Sequence, residues 1–463
     1  MLRNYFKITF RMLLKSKAFS IINVAGLAIG ISVCLLILQY VSFEFSYDRF
    51  HENAKDVYRV ANDRFQNGKL IQHGMITYSG VGKALNDDYE EIIENGRVVP
   101  AGDRIIDVEG EKTPVEQESF MADNNFLRMF SFPFLAGNKN TALMESNEVA
   151  LSETLARKIF KYTGSDLSTL LGETILLDTE TRPYVVKGVF REVPANSHLQ
   201  FELLISYPTM INVWQWKEAD HDFTASDFWH YVRLKPGTDY KSLQSRFDEF
   251  SERHFQGNKV SGSDEKFFLQ PLTEAHLYSD FEYEIGVTGK AHAVWGLLII
   301  ALFILVIAWI NYINLATARA MERAKEVGMR KVSGAKRAQL IVQFLTESFV
   351  VNLVALALAM VLVQTVQPYF NQLLENELSF MLLLGKGFGG YLTTVVLACV
   401  IVLGILFSGF YPAFVLSSFK PASILKGNFG ASQKGIVMRK ILVVGQFAAT
   451  VSSSPVRSSF FSR

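Results

Sequence analysis

The residues best suited to metal chemistry lie in one aromatic-rich stretch of the sequence, namely His221, Asp222, Asp227 and His230. Imidazole and carboxylate groups bind transition metals. Their spacing, however, fits no standard zinc pattern, in which ligands recur at short fixed separations. We therefore interpret the four as ordinary surface or core residues and predict no metal site.

Two glycine-rich segments resemble nucleotide-binding loops only superficially. Segment 286–291 (Gly-Val-Thr-Gly-Lys-Ala) lacks the spacing of the phosphate-binding loop and the hydroxyl group that would hold Mg²⁺. Segment 385–390 (Gly-Lys-Gly-Phe-Gly-Gly) matches Gly-x-Gly-x-x-Gly but leads into an apolar stretch instead of following a strand of a βαβ unit. We expect no cofactor on this chain and no ATPase activity of its own.

The most informative polar stretch is segment 319–337. Its first part favours a helix, with Arg319 and Arg323, and Glu322 and Glu326, four residues apart on one face. Gly328 and Gly334 follow and are expected to supply breaks. The segment is predicted to form a short helix and turn whose acidic, glycine and basic positions alternate, which a generic basic loop would not need.

These residues must be positioned by membrane spans, because the chain of 463 residues alternates between long apolar blocks and a polar middle. Blocks 18–43, 291–318 and 387–419 carry no Asp, Glu, Lys or Arg, and block 338–374 carries none from residue 348 onward. About 20 residues suffice for a helix to cross the hydrocarbon core. The first block is too long for a signal peptide and is followed by no small-x-small cleavage site. Four spans are predicted.

Lys and Arg beside these spans predict their orientation, because flanking basic residues remain in the cytoplasm. Segments 1–17, 319–337 and 420–440 are basic, whereas segment 375–386 is not. The N-terminus is therefore placed in the cytoplasm, segment 375–386 becomes a short outer loop, and segment 44–290 becomes an extracytoplasmic domain. Basic residues recur every fourth position in segment 1–17, which reads as an amphipathic interfacial helix or as simple flanking charge.

The large outer segment shows both strand and helix patterns. Strands are predicted at 175–177, 184–190 and 229–234, and helical periodicity appears at 152–160 and 240–255. The predicted fold class is a multi-span α-helical membrane protein with a large α+β extracytoplasmic domain between the first and second spans.

The segment after the second span resembles the FtsX-like permease domain of the MacB type, whose signature is Glu-Val/Ile-Gly-x-Arg-Lys-x-x-Gly-Ala. The resemblance extends to segments 23–30, 410–413 and 419–427 and to a MacB-like periplasmic core domain in the outer segment. The positions that match the signature are Glu326, Val327, Gly328, Arg330, Lys331, Gly334 and Ala335.

The resemblance implies an ABC transporter permease of the bacterial inner membrane, in which these seven residues couple to a separate ATPase subunit that holds the ATP and Mg²⁺. It implies that motion of the outer domain moves a lipoprotein, peptide or drug. The alternative is a non-transporting, FtsX-like transmitter that activates a cell-wall hydrolase. Expected partners are the ATPase, the lipid bilayer, a dimer mate or second permease half, and a periplasmic adaptor, with no nucleic acid.

The C-terminal segment departs from the family pattern. An apolar run restarts after Arg439 and Lys440 but soon gives way to a Ser-rich sequence. Segment 441–463 is therefore expected to be the truncated start of a fifth span, and the chain to be the first half of a duplicated family member.

Overall fold

A computed structural model of the chain describes residue 11 and residues 17–213, 215–255, 262–318 and 327–379, together with isolated positions between 394 and 406. Glu326, most of the predicted interfacial helix, most of the predicted fourth span and all of segment 420–463 lie outside the described residues. The α-helices, numbered along the chain, are α1 (Lys17–Glu44), α2 (Val81–Asp88), α3 (Asn124–Met129), α4 (Glu153–Ile159), α5 (Tyr207–Val213), α6 (Tyr240–Gln244), α7 (Phe247–His254), α8 (Ala291–Ala318) and α9 (Arg337–Leu374).

Within these ranges, three helices are long and apolar enough to cross a membrane, namely α1, α8 and α9. They belong to one compact unit, to which the described residues of segments 1–45 and 292–463 are assigned. A methyl group added at Gly30 of α1 would lie 2.6 Å from the Cβ of Ala308 in α8, so the glycine permits close helix packing. The core of this bundle includes Leu27, Ala28, Leu35, Ala301, Leu305, Val351, Ala355 and Ala359.

The second compact unit, Ser46–Ala291, is built on a 13-stranded mixed sheet. The strand order is β13-β1-β12-β3-β6-β11-β8-β10-β9-β4-β5, with β2 paired to β1 and β7 paired to β10. The strands are β1 (Val57–Gln66), β2 (Lys69–Gly74), β3 (Ile92–Pro100), β4 (Ile105–Val108), β5 (Glu111–Pro114), β6 (Glu118–Ala122), β7 (Phe134–Gly137), β8 (Glu148–Ser152), β9 (Thr174–Leu177), β10 (Tyr184–Phe190), β11 (Phe201–Ser206), β12 (Trp229–Leu234) and β13 (Ser263–Pro271).

Parallel pairing occurs between β8 and β10 and between β6 and β11, whereas the other described pairs are antiparallel. Apolar side chains from the strands and the short helices form the core of this outer domain. One cluster is rich in aromatic rings, which contribute large buried areas. It contains Phe120, Phe126, Phe130, Phe132, Phe190, Phe201 and Tyr231.

The predicted local elements of the outer domain are recognisable in the structure. Strands β10 and β12 have the predicted bounds 184–190 and 229–234, and α4 lies within the predicted 152–160. The periodic stretch 240–255 forms two helices, α6 and α7, instead of one. At the break, the Ser245 hydroxyl donates to the Ser242 carbonyl at 2.7 Å, a local bond that competes with helix continuation.

A buried arginine links the sheet to the elements that cover it. Arg97 of β3 places its Nε 3.2 Å from Asp123 Oδ2 and its Nη1 2.7 Å from Asp220 Oδ1. Arg97 Nη1 also donates to the Tyr207 hydroxyl at 2.9 Å. Asp123 in turn caps α3 by accepting from the Phe126 amide at 2.9 Å. The Arg97 cluster therefore holds three separate parts of the outer domain together.

Candidate coupling site

The segment that carries the signature forms a short helix followed by a tight turn. Residues 327–332 are helical, and α9 begins at Arg337. Gly334 has φ +92, a left-handed conformation that favours glycine. The Gly334 amide donates to the Lys331 carbonyl at 3.1 Å, and the Ala335 amide donates to the Arg330 carbonyl at 3.0 Å. This pair of bonds is the Schellman arrangement that ends a helix at a glycine.

The turn leads directly into α9, whose first residues are capped from within the same segment. The Lys336 amide donates to the side-chain Oε1 of Gln339 at 3.0 Å. A glutamine at the third helical position thus satisfies a backbone donor that would otherwise lack a partner at the start of the helix. The path of the chain between the two helices is consequently fixed at both ends.

The short helix packs on the first turns of α9 through a small apolar cluster. Val327 is 4% exposed and contacts Leu340 and Phe344, with Ile341 at the edge. Gly328 is buried inside the helical residues 327–332, so the prediction that it breaks the helix is wrong; packing overrides the low helix propensity of glycine there. Burial of a valine side chain stabilises such a contact by roughly 1.5 kcal/mol or more. Val327 therefore anchors the short helix to α9.

A polar bond adds to this anchor. Arg330 Nη1 donates to Gln343 Oε1 at 2.5 Å, and Gln343 is buried on α9. Because the guanidinium group is planar and always charged, it holds a carbonyl oxygen in a defined direction. We call residues 327–337 the bracket, because they form a short helix and turn fixed to the start of α9.

The outward surface of the bracket combines exposed apolar side chains with basic ones. Met329 is 58% exposed and Val332 is 66% exposed. Lys336 and Arg337 lie on the same segment and are exposed, and Lys331 is partly exposed. The outward surface of the bracket thus presents two exposed apolar side chains flanked by basic ones.

Most of the signature residues lie in the bracket. Six of the seven are described: Val327, Gly328, Arg330, Lys331, Gly334 and Ala335 lie together in the bracket. Sequence reasoning did not single out Met329 and Val332, which occupy unspecified positions of the signature, nor Gln343. The available signal was helical spacing, since Val332 lies three residues after Met329 on one face of a helix.

Two of the four residues considered for metal chemistry, His230 and Asp222, make side-chain contacts within the outer domain. His230 Nε2 lies 3.0 Å from the Tyr78 carbonyl, and burial lowers the pKa of His230 to about 3. Asp222 Oδ1 accepts from the amides of Thr224 and Ala225 at 2.7 and 3.1 Å, which shapes a turn. Among the described residues, no group of three or more His, Cys, Asp or Glu side chains is arranged to hold a metal ion.

The first glycine-rich segment, 286–291, makes contacts within the outer domain. Gly286 has φ +86 and packs against the His198 carbonyl, and the Gly289 amide donates to the His276 carbonyl at 2.7 Å. Segment 286–291 is therefore part of the last loop of the outer domain. Segment 385–390 lies outside the described residues.

An α+β domain inserted between two apolar helices, followed by the bracket, defines a membrane protein with a large extracytoplasmic domain. Two family models match the chain: the MacB-like periplasmic core domain at residues 20–250 and the FtsX-like permease C-terminal domain at residues 298–421. The chain belongs to the ABC transporter permease family that combines these two domains, and it is a membrane protein.

Several curated proteins are similar to the chain. The pyoverdine export ATP-binding/permease protein PvdT of Pseudomonas fluorescens is 23% identical over 71% of this chain and 46% of its own length. The ABC transporter permease YknZ of Bacillus subtilis is 26% identical over 48% of this chain and 47% of its own length. The macrolide export protein MacB of Chromobacterium violaceum is 30% identical over 39% of this chain and 28% of its own length. The chain thus spans less than half the length of each relative.

Proposed function

We propose that the chain is the permease subunit of an ABC export system in which a separate nucleotide-binding subunit hydrolyses ATP. The permease transmits the resulting motion to its outer domain and has no enzymatic activity itself. The observation that carries this proposal is the bracket, which exposes Met329 and Val332 while its other side is fixed to α9. Family membership supports the same assignment.

The bracket is built to transmit a displacement because it is attached to α9 at several points. The Val327 contacts, the Arg330–Gln343 bond and the Gly334 turn act together, so a push on the exposed face would move the start of α9. Close-packed protein interiors have low compressibility and therefore transmit strain. Further along α9, Val351 and Ala355 belong to the same apolar core as Leu35 of α1.

The chemistry of the bracket indicates what it would bind. Apolar side chains surrounded by Lys and Arg are complementary to a protein groove with an apolar floor and acidic rim. The bracket would then lie in the cytoplasm, which agrees with the basic residues beside α8 and α9 and with a cytoplasmic N-terminus. The bacterial inner membrane is the proposed location.

The cargo is proposed to be a lipoprotein, peptide or drug, exported with the help of a second permease half or dimer mate and a periplasmic adaptor. The names of PvdT and of MacB refer to export, which favours transport over the alternative of a transmitter that activates a cell-wall hydrolase. Both functions would use the same bracket.

The test is capture of candidate ABC ATPases by the full chain in detergent, comparing wild type with a Met329→Glu, Val332→Glu variant. Both side chains are exposed, so folding should be preserved. The matched control is Leu70→Glu, Ile71→Glu, which introduces the same two charges at exposed apolar positions of β2 in the outer domain.

We expect the bracket variant to bind the ATPase at least about tenfold more weakly, the loss expected when apolar contacts at the centre of an interface are removed. The control should bind as wild type does. Equal binding by all three proteins would contradict the assignment of the bracket. ATP-dependent complex formation without export of any cargo class would favour the transmitter.

A further inference from the structure

The outer domain is connected covalently to the membrane helices at only two places, because it is one continuous segment, Ser46–Ala291. The first connection, residues 45–51, follows α1. The second connection, residues 286–291, precedes α8. Any motion that the domain receives through the chain must enter at these two connections. Their attachment to the body of the domain therefore decides how the motion is delivered.

The first connection is held by the loop 196–198, which joins β10 to β11. The Asp48 amide donates to the Asn196 carbonyl at 2.9 Å, and Asn196 Nδ2 donates to the Ser46 carbonyl at 3.2 Å. Asp48 Oδ1 accepts from the His198 amide at 3.1 Å and from the Ser197 hydroxyl at 3.2 Å. The chain leaving α1 is thus fixed to this loop by main-chain and side-chain bonds.

The second connection meets the same loop. The Val287 amide donates to the His198 carbonyl at 2.8 Å. Gly286 lies so close that a Cβ at this position would be 1.9 Å from the His198 carbonyl oxygen. His276 Nδ1 lies 3.0 Å from the Val287 carbonyl, and the His276 ring stacks on Tyr47 of the first connection at a centroid distance of 3.4 Å.

The loop is in turn attached to the middle of the sheet. His198 Nε2 lies 2.9 Å from the Tyr231 hydroxyl. Tyr231 is on β12, where it pairs with Arg59 of β1 and Gly96 of β3. His198 and Tyr231 are both 1% exposed, so water does not compete for this bond.

The chemistry of this site is unusual for a purely structural contact. Asp48 is fully buried. Its Oδ2 lies 2.9 Å from His198 Nδ1, but the angle at this contact does not fit a hydrogen bond. Burying a carboxylate costs free energy that an apolar side chain would not. Burial alone would raise the pKa of Asp48, but the neighbouring His198 and His51 outweigh it and hold that pKa below its usual value. The carboxylate therefore stays ionised where it accepts bonds from the loop.

We infer that Asp48, His198, Tyr231 and the Val287 amide form a junction that makes both connections move with the central sheet as one body. His198 is its positioning residue, because it contacts the other three. Its role in delivering motion rests on the proposed function. Without the junction, each connection would move independently. A displacement of α1 or α8 would then deform the connecting loops without moving the sheet.

The first test measures amide exchange by mass spectrometry in the full-length chain. Gly286→Ala disturbs the second connection through the clash with the His198 carbonyl. Gly237→Ala is the matched control, because Gly237 has a similar φ of +82 but has nothing within 4 Å of an added Cβ. We expect Gly286→Ala to accelerate exchange both in peptides covering 286–291 and in peptides covering 45–51, by about tenfold.

The second variant, Tyr231→Phe, removes only the hydroxyl that meets His198. Its control is Tyr207→Phe, which also removes a buried tyrosine hydroxyl but one bonded to Arg97. Faster exchange in both connections is expected for Tyr231→Phe and in neither connection for Tyr207→Phe. Acceleration in 286–291 alone after Gly286→Ala, or equal acceleration in β8 and β10, would overturn the inference.

A third measurement separates this inference from the proposed function. In the complex with the ATPase, ATP should change exchange in the sheet of wild type and of Gly237→Ala but not of Gly286→Ala, with ATPase capture the same in all three. If wild type captures no ATPase, the proposed function fails while the exchange results still decide the junction. If Gly286→Ala responds to ATP as wild type does, the junction does not deliver motion.

Discussion

Replacement of Arg97 by leucine should destabilise the outer domain strongly. Arg97 is buried, and its loss leaves the Asp123 carboxylate, with a side chain only 15% exposed, without its cation. Removing one partner of a buried ion pair costs about 3 to 5 kcal/mol. Because total domain stability is roughly 5 to 15 kcal/mol, this single change should remove a large part of it.

The pH dependence of the stability of Arg97→Leu provides a second test. Burial raises the pKa of Asp123 even though Arg97 opposes the shift. Without Arg97 that pKa should rise further, so the folded variant would bind a proton that the unfolded chain releases. The destabilisation of the variant relative to wild type should therefore be smaller at pH 5 than at pH 7.

The assay is urea unfolding of the full chain in detergent, followed by brief proteolysis. Arg97→Leu combined with Asp123→Asn should recover more than half of the loss, because asparagine still caps α3. The control Arg104→Leu breaks the more exposed pair with Asp178 and should cost under about 1 kcal/mol. A loss below about 1 kcal/mol for Arg97→Leu, or no rescue by Asp123→Asn, would refute the reasoning.

Two further predictions concern the helix bundle and acid sensitivity. Gly30→Leu should separate α1 from α8, since even a methyl group would reach Ala308, and should cost about 1 to 3 kcal/mol in detergent denaturation followed by circular dichroism. Burial lowers the pKa of His51 to about 4 and of His230 to about 3, against an ordinary 6.5. The unfolded chain therefore binds protons that the folded chain excludes. The urea concentration at the unfolding midpoint should decrease as the pH is lowered from 6.5 to 4.

These two predictions have simple controls. Val361→Leu changes an exposed apolar position of α9 and should leave bundle stability unchanged. His230→Gln should reduce the acid sensitivity of the outer domain, whereas His221→Gln, at an exposed position, should not. A Gly30→Leu bundle as stable as wild type, or acid sensitivity unaffected by His230→Gln, would contradict the packing and burial described above.

The elements that were predictable from sequence are those with a strong local signal. The apolar blocks gave α1, α8 and α9 because a membrane span needs no long-range partner to be recognised. Strands β10 and β12 were predictable because they are rich in β-branched and aromatic residues and because turn residues bound them. The sheet order was not predictable, since the pairing of β1 with β13 joins residues about two hundred positions apart.

The bracket, too, was predictable from the sequence only in part. Gly334 was recognisable as a break, and its left-handed φ accounts for it. The support of the bracket by Leu340, Phe344 and Gln343 depends on how the short helix folds back onto α9, which no local pattern specifies. The exposure of Met329 and Val332 follows from that packing, so it was not predictable from the sequence either.

The early position of β1 affects how the protein is made. Strand β1 follows the first membrane helix directly, but its partners β12 and β13 lie at the far end of the domain, in residues 229–234 and 263–271. The sheet cannot close until nearly the whole domain has been synthesised and translocated. Until then the two edges of β1 lack these partners, and such edges invite aggregation. Biogenesis should therefore depend on chaperones outside the cytoplasm more than the stability of the finished domain suggests.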